Sequence, residues 1–339
     1  MKKILFLQSQ FDFNQFYDSE VFLNSDKIEF LGINYLNKKP EFFLKFDEIY
    51  NCDYSDIHSN LIILKAKSVG INTFLLMDGI YDWANSYLNP KWVDENSKFD
   101  LSIYNLVYCV ENHTKSFLKL HGIETKIYKP PRIFRVSEKK TKFKKNNKAS
   151  KNRILITTSN TPYFNNIEFE RIIKIFKGII KWCDDNSIEI FYRIYDKKIL
   201  DRLDINKKIN LTKGSIDLYL DEIDILITTP SSVSVTSAMY DKPFIHVIYR
   251  DTPNTLQAAW QIFDVEMVPD VIKSALNRDK YRMLHQRTII PKKDIKNFDN
   301  LEYMKSDFEN FPKINTLKYT KVVIKNKLKF LYHKFFKYK

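Results

Sequence analysis

The chain has 339 residues, 44% of them hydrophobic and 15% aromatic, which is enough for two domains with buried cores and excludes global disorder. Its formal charge of +14 is concentrated: residues 135–153 carry net +8 and residues 313–339 net +9, leaving −3 for everything else. A nearly neutral body with two basic appendages excludes a broad nucleic-acid surface, and three widely spaced cysteines (Cys52, Cys109, Cys183) exclude a disulfide framework or a paired-cysteine zinc site.

The opening MKKILFLQSQ has four apolar residues before Gln8 and reads as a first strand rather than a secretory signal. No run approaches the ~18 apolar residues of a membrane span. With the sparse cysteines, this points to a reducing cytoplasm. Strand-like runs recur at 3–8, 28–31, 48–50, 73–77 and 106–110, with helical patterns at 59–69 and 114–121. Residues 135–152 are mostly Lys, Asn and Ser without periodicity, as in an exposed linker. Beyond it, RILITTS is a strand, 167–183 a helix with apolar residues at three- and four-residue spacing, IEIFYRIY a strand, and 217–222 a short helix. Alternation of strands and helices in each half predicts two Rossmann-like α/β domains, residues 1–134 and 153–312.

The most informative stretch is DILITTPSSVSVTSAMYDKPFIHVIYR, residues 224–250. Ile225-Leu226-Ile227 suits a buried parallel strand, Pro230 stops it, and Ser231 or Ser232 suits a helix N-cap. Lys242-Pro243 ends the helix before a second strand at 244–248. Hydroxyls and backbone N–H groups therefore converge at a strand's C-terminal end, an arrangement that suits a phosphate.

This stretch, with ILITTSNTPYFN at the head of the second half and LLMDGIYDWAN in the first, resembles GT-B glycosyltransferases, especially bacterial enzymes of capsule and lipopolysaccharide synthesis. The resemblance covers residues 153–263 well and the first half in architecture. It implies two Rossmann-like domains facing across a cleft, with a nucleotide sugar in the second and a glycan or lipid-linked acceptor in the first. It also implies that Ser231, Ser232, Val233 and Ser234 hold the donor phosphate. Thr236 stands where many relatives carry an acid that contacts the donor. The same motif occurs in sugar-nucleotide 2-epimerases, so epimerisation is the alternative reaction, and a non-catalytic scaffold of glycan assembly is another. CMP, UDP and GDP donors all remain open.

Other candidates follow from chemistry and position. Thr158, Ser159 and Asn160 follow the first strand of the second domain and let a nucleotide approach. Arg193 near a strand end, and Lys213 beside Gly214, offer cations to offset leaving-group charge without a metal. Asp78 ends an apolar strand in the first domain and is the candidate general base, with Asp82 as the second choice. Both have a plainer role, in a turn and a helix cap. Tyr81 and Trp83 suit a sugar face or a core. The six histidines show no metal spacing, His246 sits inside an apolar strand, and Glu111 suits a helix start. No DxD pair sits on a strand-end loop, so neither a metal nor a cofactor is expected.

Residues 313–339 predict a basic amphipathic helix. Leu317, Ile324, Leu328, Leu331, Phe335 and Tyr338 fall on one stripe, with Lys318, Lys321, Lys325 and Lys329 on one flank and Lys334 and Lys337 on the other. Such a helix would lie in an anionic membrane surface, at roughly 1 kcal/mol per lysine, and hold the enzyme at the inner face of a bacterial cytoplasmic membrane; the alternative, from the resemblance, is a terminal helix that packs back across the first domain. Full-length protein is expected to sediment with anionic vesicles and to release in high salt. Deletion of 313–339 should abolish sedimentation; equal pelleting without the segment would overturn the assignment.

Overall fold

The computed structural model describes residues 2–16, 27–90, 101–134, 152–205 and 209–290. All but one residue of the expected linker, and the whole basic tail, lie outside these. The first domain is a six-stranded parallel sheet of β1 (Lys3–Phe6), β2 (Lys27–Glu29), β3 (Glu48–Asn51), β4 (Asn72–Leu76), β5 (Leu106–Cys109) and β6 (Thr125–Ile127). Its order is β2-β1-β3-β4-β5-β6. The second holds β7 (Arg153–Thr157), β8 (Glu189–Arg193), β9 (Ile225–Thr228), β10 (Phe244–Val247) and β11 (Trp260–Ile262), in the order β11-β10-β9-β7-β8, again all parallel. This is the doubly wound pair of α/β domains that the alternation predicts.

Strand alternation decides where each side chain goes. Leu5, Leu7, Ile49, Leu75 and Val107 pack on one face of the first sheet, with Ile62 and Ile63 of the helix Ile57–Lys67. Ile154, Ile156, Ile225, Ile227 and Ile245 form the corresponding layer of the second, against Ile172, Phe176 and Ile179 of the helix Asn166–Asp185. The opposite faces do not form two separate layers. Ile4, Phe6, Phe74 and Tyr108 of the first sheet and Leu155, Leu226 and Phe244 of the second belong to one continuous apolar cluster. Ile133, in the one-turn helix Pro131–Phe134, and Val235 and Ala238, in the helix Val233–Met239, join its halves.

Two elements carry no apolar run and are absent from the sequence expectation. β6 and β11 are three-residue edge strands, Thr-Lys-Ile and Trp-Gln-Ile, whose polar central residues hide the pattern. The helices Val268–Leu276 and Lys280–Arg287 were likewise not anticipated. Among the described residues no helix is long and apolar enough to cross a membrane.

His246 is fully buried in β10, where its Nε2 lies 2.8 Å from the Ser234 hydroxyl oxygen. Burial pushes its pKa down to about 3. An unfolded histidine protonates near ~6.5, so the stabilising difference is complete above that pH and is lost as pH falls toward 3. The slope is roughly 1.4 kcal/mol per pH unit. Denaturant titrations of wild type and His246→Gln should therefore diverge in that window, the variant losing less stability on acidification; parallel curves would show that His246 accepts its proton in the fold.

Candidate active site

The second sheet changes winding direction at β7, with β8 on one side and β9 on the other. Chain crossovers leave a crevice at such a point, beyond the strand C-termini. The loops after β7 and β9 meet there: the Ser159 N–H donates to the Thr229 hydroxyl at 2.7 Å. Together with the first domain they enclose a cleft of about 380 Å3. Thr157, Thr158, Ser159 and Asn160 line one wall, Pro230, Ser231, Ser232, Val233 and Thr236 the next, and Asp78, Ile80, Asp82 and Arg132 the wall from the first domain. Nearly all the residues singled out from sequence are thus brought to one place.

The two serines have different surroundings. Ser232 is the N-cap residue of the helix Val233–Met239, but its side chain does not cap. Its hydroxyl accepts instead from the Ile80 N–H of the opposite domain at 3.2 Å. That approach requires Gly79, because a Cβ there would collide with the Ser232 hydroxyl. Ser231 lines the cleft, and its hydroxyl bonds to no described residue. Thr236 also crosses the boundary, donating to the Ile133 carbonyl at 3.3 Å. Further crossings are Thr255 Oγ1 to the Tyr81 carbonyl at 2.5 Å, Gln257 N–H to His113 Nδ1 at 3.2 Å and Asn112 Nδ2 to the Thr288 carbonyl at 3.0 Å.

Asp78 follows β4 and faces Arg132 at 3.7 Å. Its carboxyl keeps about half its surface, 53%, yet protein walls the cleft floor around it. That crowding pushes its pKa up, Arg132 pulls it down, and Asp53 raises it again. Asp82 caps the helix Trp83–Tyr87, accepting from the Asn85 N–H at 3.1 Å, and also lines the cleft. Burial pushes its pKa up too, against the Asn85 N–H and the Arg250 charge. Two acids with raised pKa values therefore stand four residues apart in one loop.

Several candidates face elsewhere. Arg193 borders the cleft, but its guanidinium donates to the Leu211 carbonyl at 2.5 Å and the Gly214 carbonyl at 2.7 Å, fastening that loop. Lys213 is exposed outside the lining. The Ser234 hydroxyl is turned into the core toward His246. Tyr81 is buried, and Trp83 packs beside Tyr87 with ring centres 4.9 Å apart. Glu111 caps the helix Asn112–Leu120. Sequence reasoning missed Arg132 and Tyr195, which line the cleft, and the close contact of Gly79 with Ser232. The first was signalled by PPRIF, whose Pro131 opens a helix just before the basic linker. Among the described residues no group of three or more His, Cys, Asp or Glu is placed to hold a metal.

No protein-family model matches the sequence, and none of the curated proteins matches it. Solved structures do. The chain is similar to UDP-GlcNAc 2-epimerase from Neisseria meningitidis bound to UDP-GlcNAc, with 11% identity over 97% of this chain and 100% of that one, at a TM-score of 0.57. It is also similar to the Methanocaldococcus jannaschii UDP-GlcNAc 2-epimerase in complex with UDP-GlcNAc and UDP, with 16% identity over 82% and 93% and a TM-score of 0.54. MnaA of S. aureus with UDP gives 14% identity over 86% and 92%, at 0.52. At such identities the likeness defines the fold: two Rossmann-like domains across a cleft, the GT-B architecture.

The Gly79–Ser232 contact makes a direct prediction. Gly79→Ala should destabilise the protein by about 1–3 kcal/mol through overpacking at the seam. Adding Ser232→Gly, which removes the obstructing side chain, should recover part of that loss in thermal denaturation. No recovery would mean that the alanine acts elsewhere.

Proposed function

We propose that this chain acts on a UDP-sugar held in the interdomain cleft, and that it epimerises the sugar at C2. The observation that carries this reading is the convergence of two polar loops of the second domain, 157–160 and 229–233, on two acids of the first, Asp78 and Asp82. The free Ser231 hydroxyl and the loop amides suit a diphosphate, which needs donors and accepts them at several oxygens. Inverting C2 needs its proton to leave as the C1–O bond to UDP breaks, giving a C1=C2 double bond, and a proton then to return to the other face of C2 as UDP re-adds at C1. Asp78 and Asp82, whose pKa values burial raises, are the groups placed to take and return that proton. The similar structures support the same reaction by their printed names. They reverse the order reached from sequence, where glycosyl transfer came first and epimerisation second.

Transfer to a glycan or lipid-linked acceptor, in capsule or lipopolysaccharide assembly at a cytoplasmic membrane face, is the second reading. The half-open surface of Asp78 favours it, since an acceptor hydroxyl can reach that carboxylate. The two readings separate in one experiment. With UDP-GlcNAc in D2O and no acceptor, epimerisation places deuterium at C2 and yields the 2-epimer; a transferase leaves C2 unexchanged. Asp78→Asn should lower turnover by at least ~100-fold with nucleotide affinity kept. Ser231→Ala should weaken UDP binding by about 1–3 kcal/mol. Exchange that is unchanged in Asp78→Asn but lost in Asp82→Asn would transfer the role to Asp82.

A further inference from the structure

A diphosphate in the cleft meets repulsion from two carboxylates, Asp78 and Asp82. A cation must offset that charge, and must do so again when the C1–O bond breaks and leaves its electron pair on the β-phosphate. The cations expected from sequence are committed elsewhere. The Arg193 fork is taken up by the Leu211 and Gly214 carbonyls, and Lys213 lies outside the lining. Arg250 is paired with Glu168 at 2.8 Å.

Arg132 differs from all three. It lines the cleft from the first domain and donates no hydrogen bond to a described residue. Its ion pair with Asp78, at 3.7 Å, is beyond hydrogen-bond distance, so the planar fork of donors is not engaged. The side chain is 38% exposed, and an anion in the cleft can reach it. The backbone beneath it is fixed. Arg132 stands in the one-turn helix Pro131–Phe134, whose Ile133 and Phe134 N–H groups both donate to the Pro130 carbonyl at 3.0 Å. Ile133 is buried in the cluster that joins the domains, and its carbonyl accepts from Thr236 at 3.3 Å. The guanidinium carbon lies 5.8 Å from the Phe16 ring centre. Arg132 is thus held at the seam, beside Asp78 and on the wall facing the loop 230–233.

We propose that Arg132 binds the β-phosphate of the bound nucleotide and stabilises it as the leaving group. Its place beside Asp78 carries the assignment. The β-phosphate is linked to C2 through C1 and a single oxygen, so a carboxylate that takes the C2 proton has that phosphate beside its own neighbour. Breaking the C1–O bond leaves the electron pair on the phosphate oxygen, where the guanidinium offsets the added charge; re-addition at C1 returns the pair to the bond. Arg132 transfers no proton in either direction, since a guanidinium stays charged in proteins. Transfer to an acceptor breaks the same bond, so the role is common to both reactions. The inference rests on the cleft being a UDP-sugar site.

Isothermal titration of the full chain with UDP and UMP tests this, since only UDP has a β-phosphate. Wild type should bind UDP at least ~10-fold tighter than UMP. Arg132→Gln should weaken UDP binding by at least ~10-fold and UMP binding by less than about 2-fold. Arg132→Lys keeps the charge without the fork and should fall between wild type and Arg132→Gln. Asp78→Asn breaks the same ion pair from the other side and should bind UDP no more weakly than wild type, which separates a phosphate contact from an effect through Asp78. Melting curves report that each variant folds. A wild type without the UDP preference, equal weakening of UDP and UMP, or full UDP affinity in Arg132→Gln would overturn the assignment while the cleft reading stands. If wild type binds neither nucleotide, the cleft reading falls and the role of Arg132 with it.

Discussion

The site exists because two domains meet at a distance that only a bare backbone permits. The Ile80 N–H ends on the Ser232 hydroxyl, with Gly79 beside it presenting no side chain. Any larger residue at 79 would hold the walls of the cleft apart. The apolar cluster running from Phe6 and Tyr108 through Ile133 and Val235 to Leu226 supplies adhesion, which is large but non-directional. The hydrogen bonds at the seam supply register. Adhesion without them would leave Asp78 and Asp82 in no fixed relation to Ser231.

That seam also explains why two adjacent serines are not equivalent. Ser232 contributes to the scaffold, because its hydroxyl satisfies a backbone donor of the other domain. Ser231 keeps its hydroxyl for the cleft. Thr236 makes a similar contribution to the scaffold through the Ile133 carbonyl, closing the domain boundary. Arg193 shows the same economy: a cation beside the cleft whose donors are occupied by the Leu211 and Gly214 carbonyls shapes the wall more than it offers charge.

The fold was legible in the sequence to the extent that strands were buried on both faces. Runs such as Ile225-Leu226-Ile227 and Leu106-Val107-Tyr108 have no polar alternation and announce a parallel sheet. β6 and β11 were illegible because an edge strand of three residues with a central Lys or Gln carries no such run. The candidate residues of the cleft were legible where chemistry and punctuation coincide, as in Thr-Thr-Pro-Ser-Ser and Asp-Gly. Their orientations were not. Nothing local distinguishes Ser231 from Ser232, or turns Ser234 toward His246; those follow from what the other domain and the neighbouring strand place opposite them. Arg132 was hidden for a related reason, since its meaning comes from Asp78, far away in sequence and 3.7 Å away in space.

The two acids of the loop after β4 are alike in sequence and unlike in surroundings. Asp78 has a cation of its own domain beside it and half its surface open. Asp82 is tied to a helix start, has the paired Arg250 and Glu168 of the opposite domain nearby, and looks into the cleft. Crowding raises both pKa values, and only Asp82 has charged neighbours across the seam, where the Arg250 cation and the Glu168 carboxylate act on it in opposite senses. In the proposed reaction, the interaction that fixes the walls thus also sets the surroundings of one of the two acids between them.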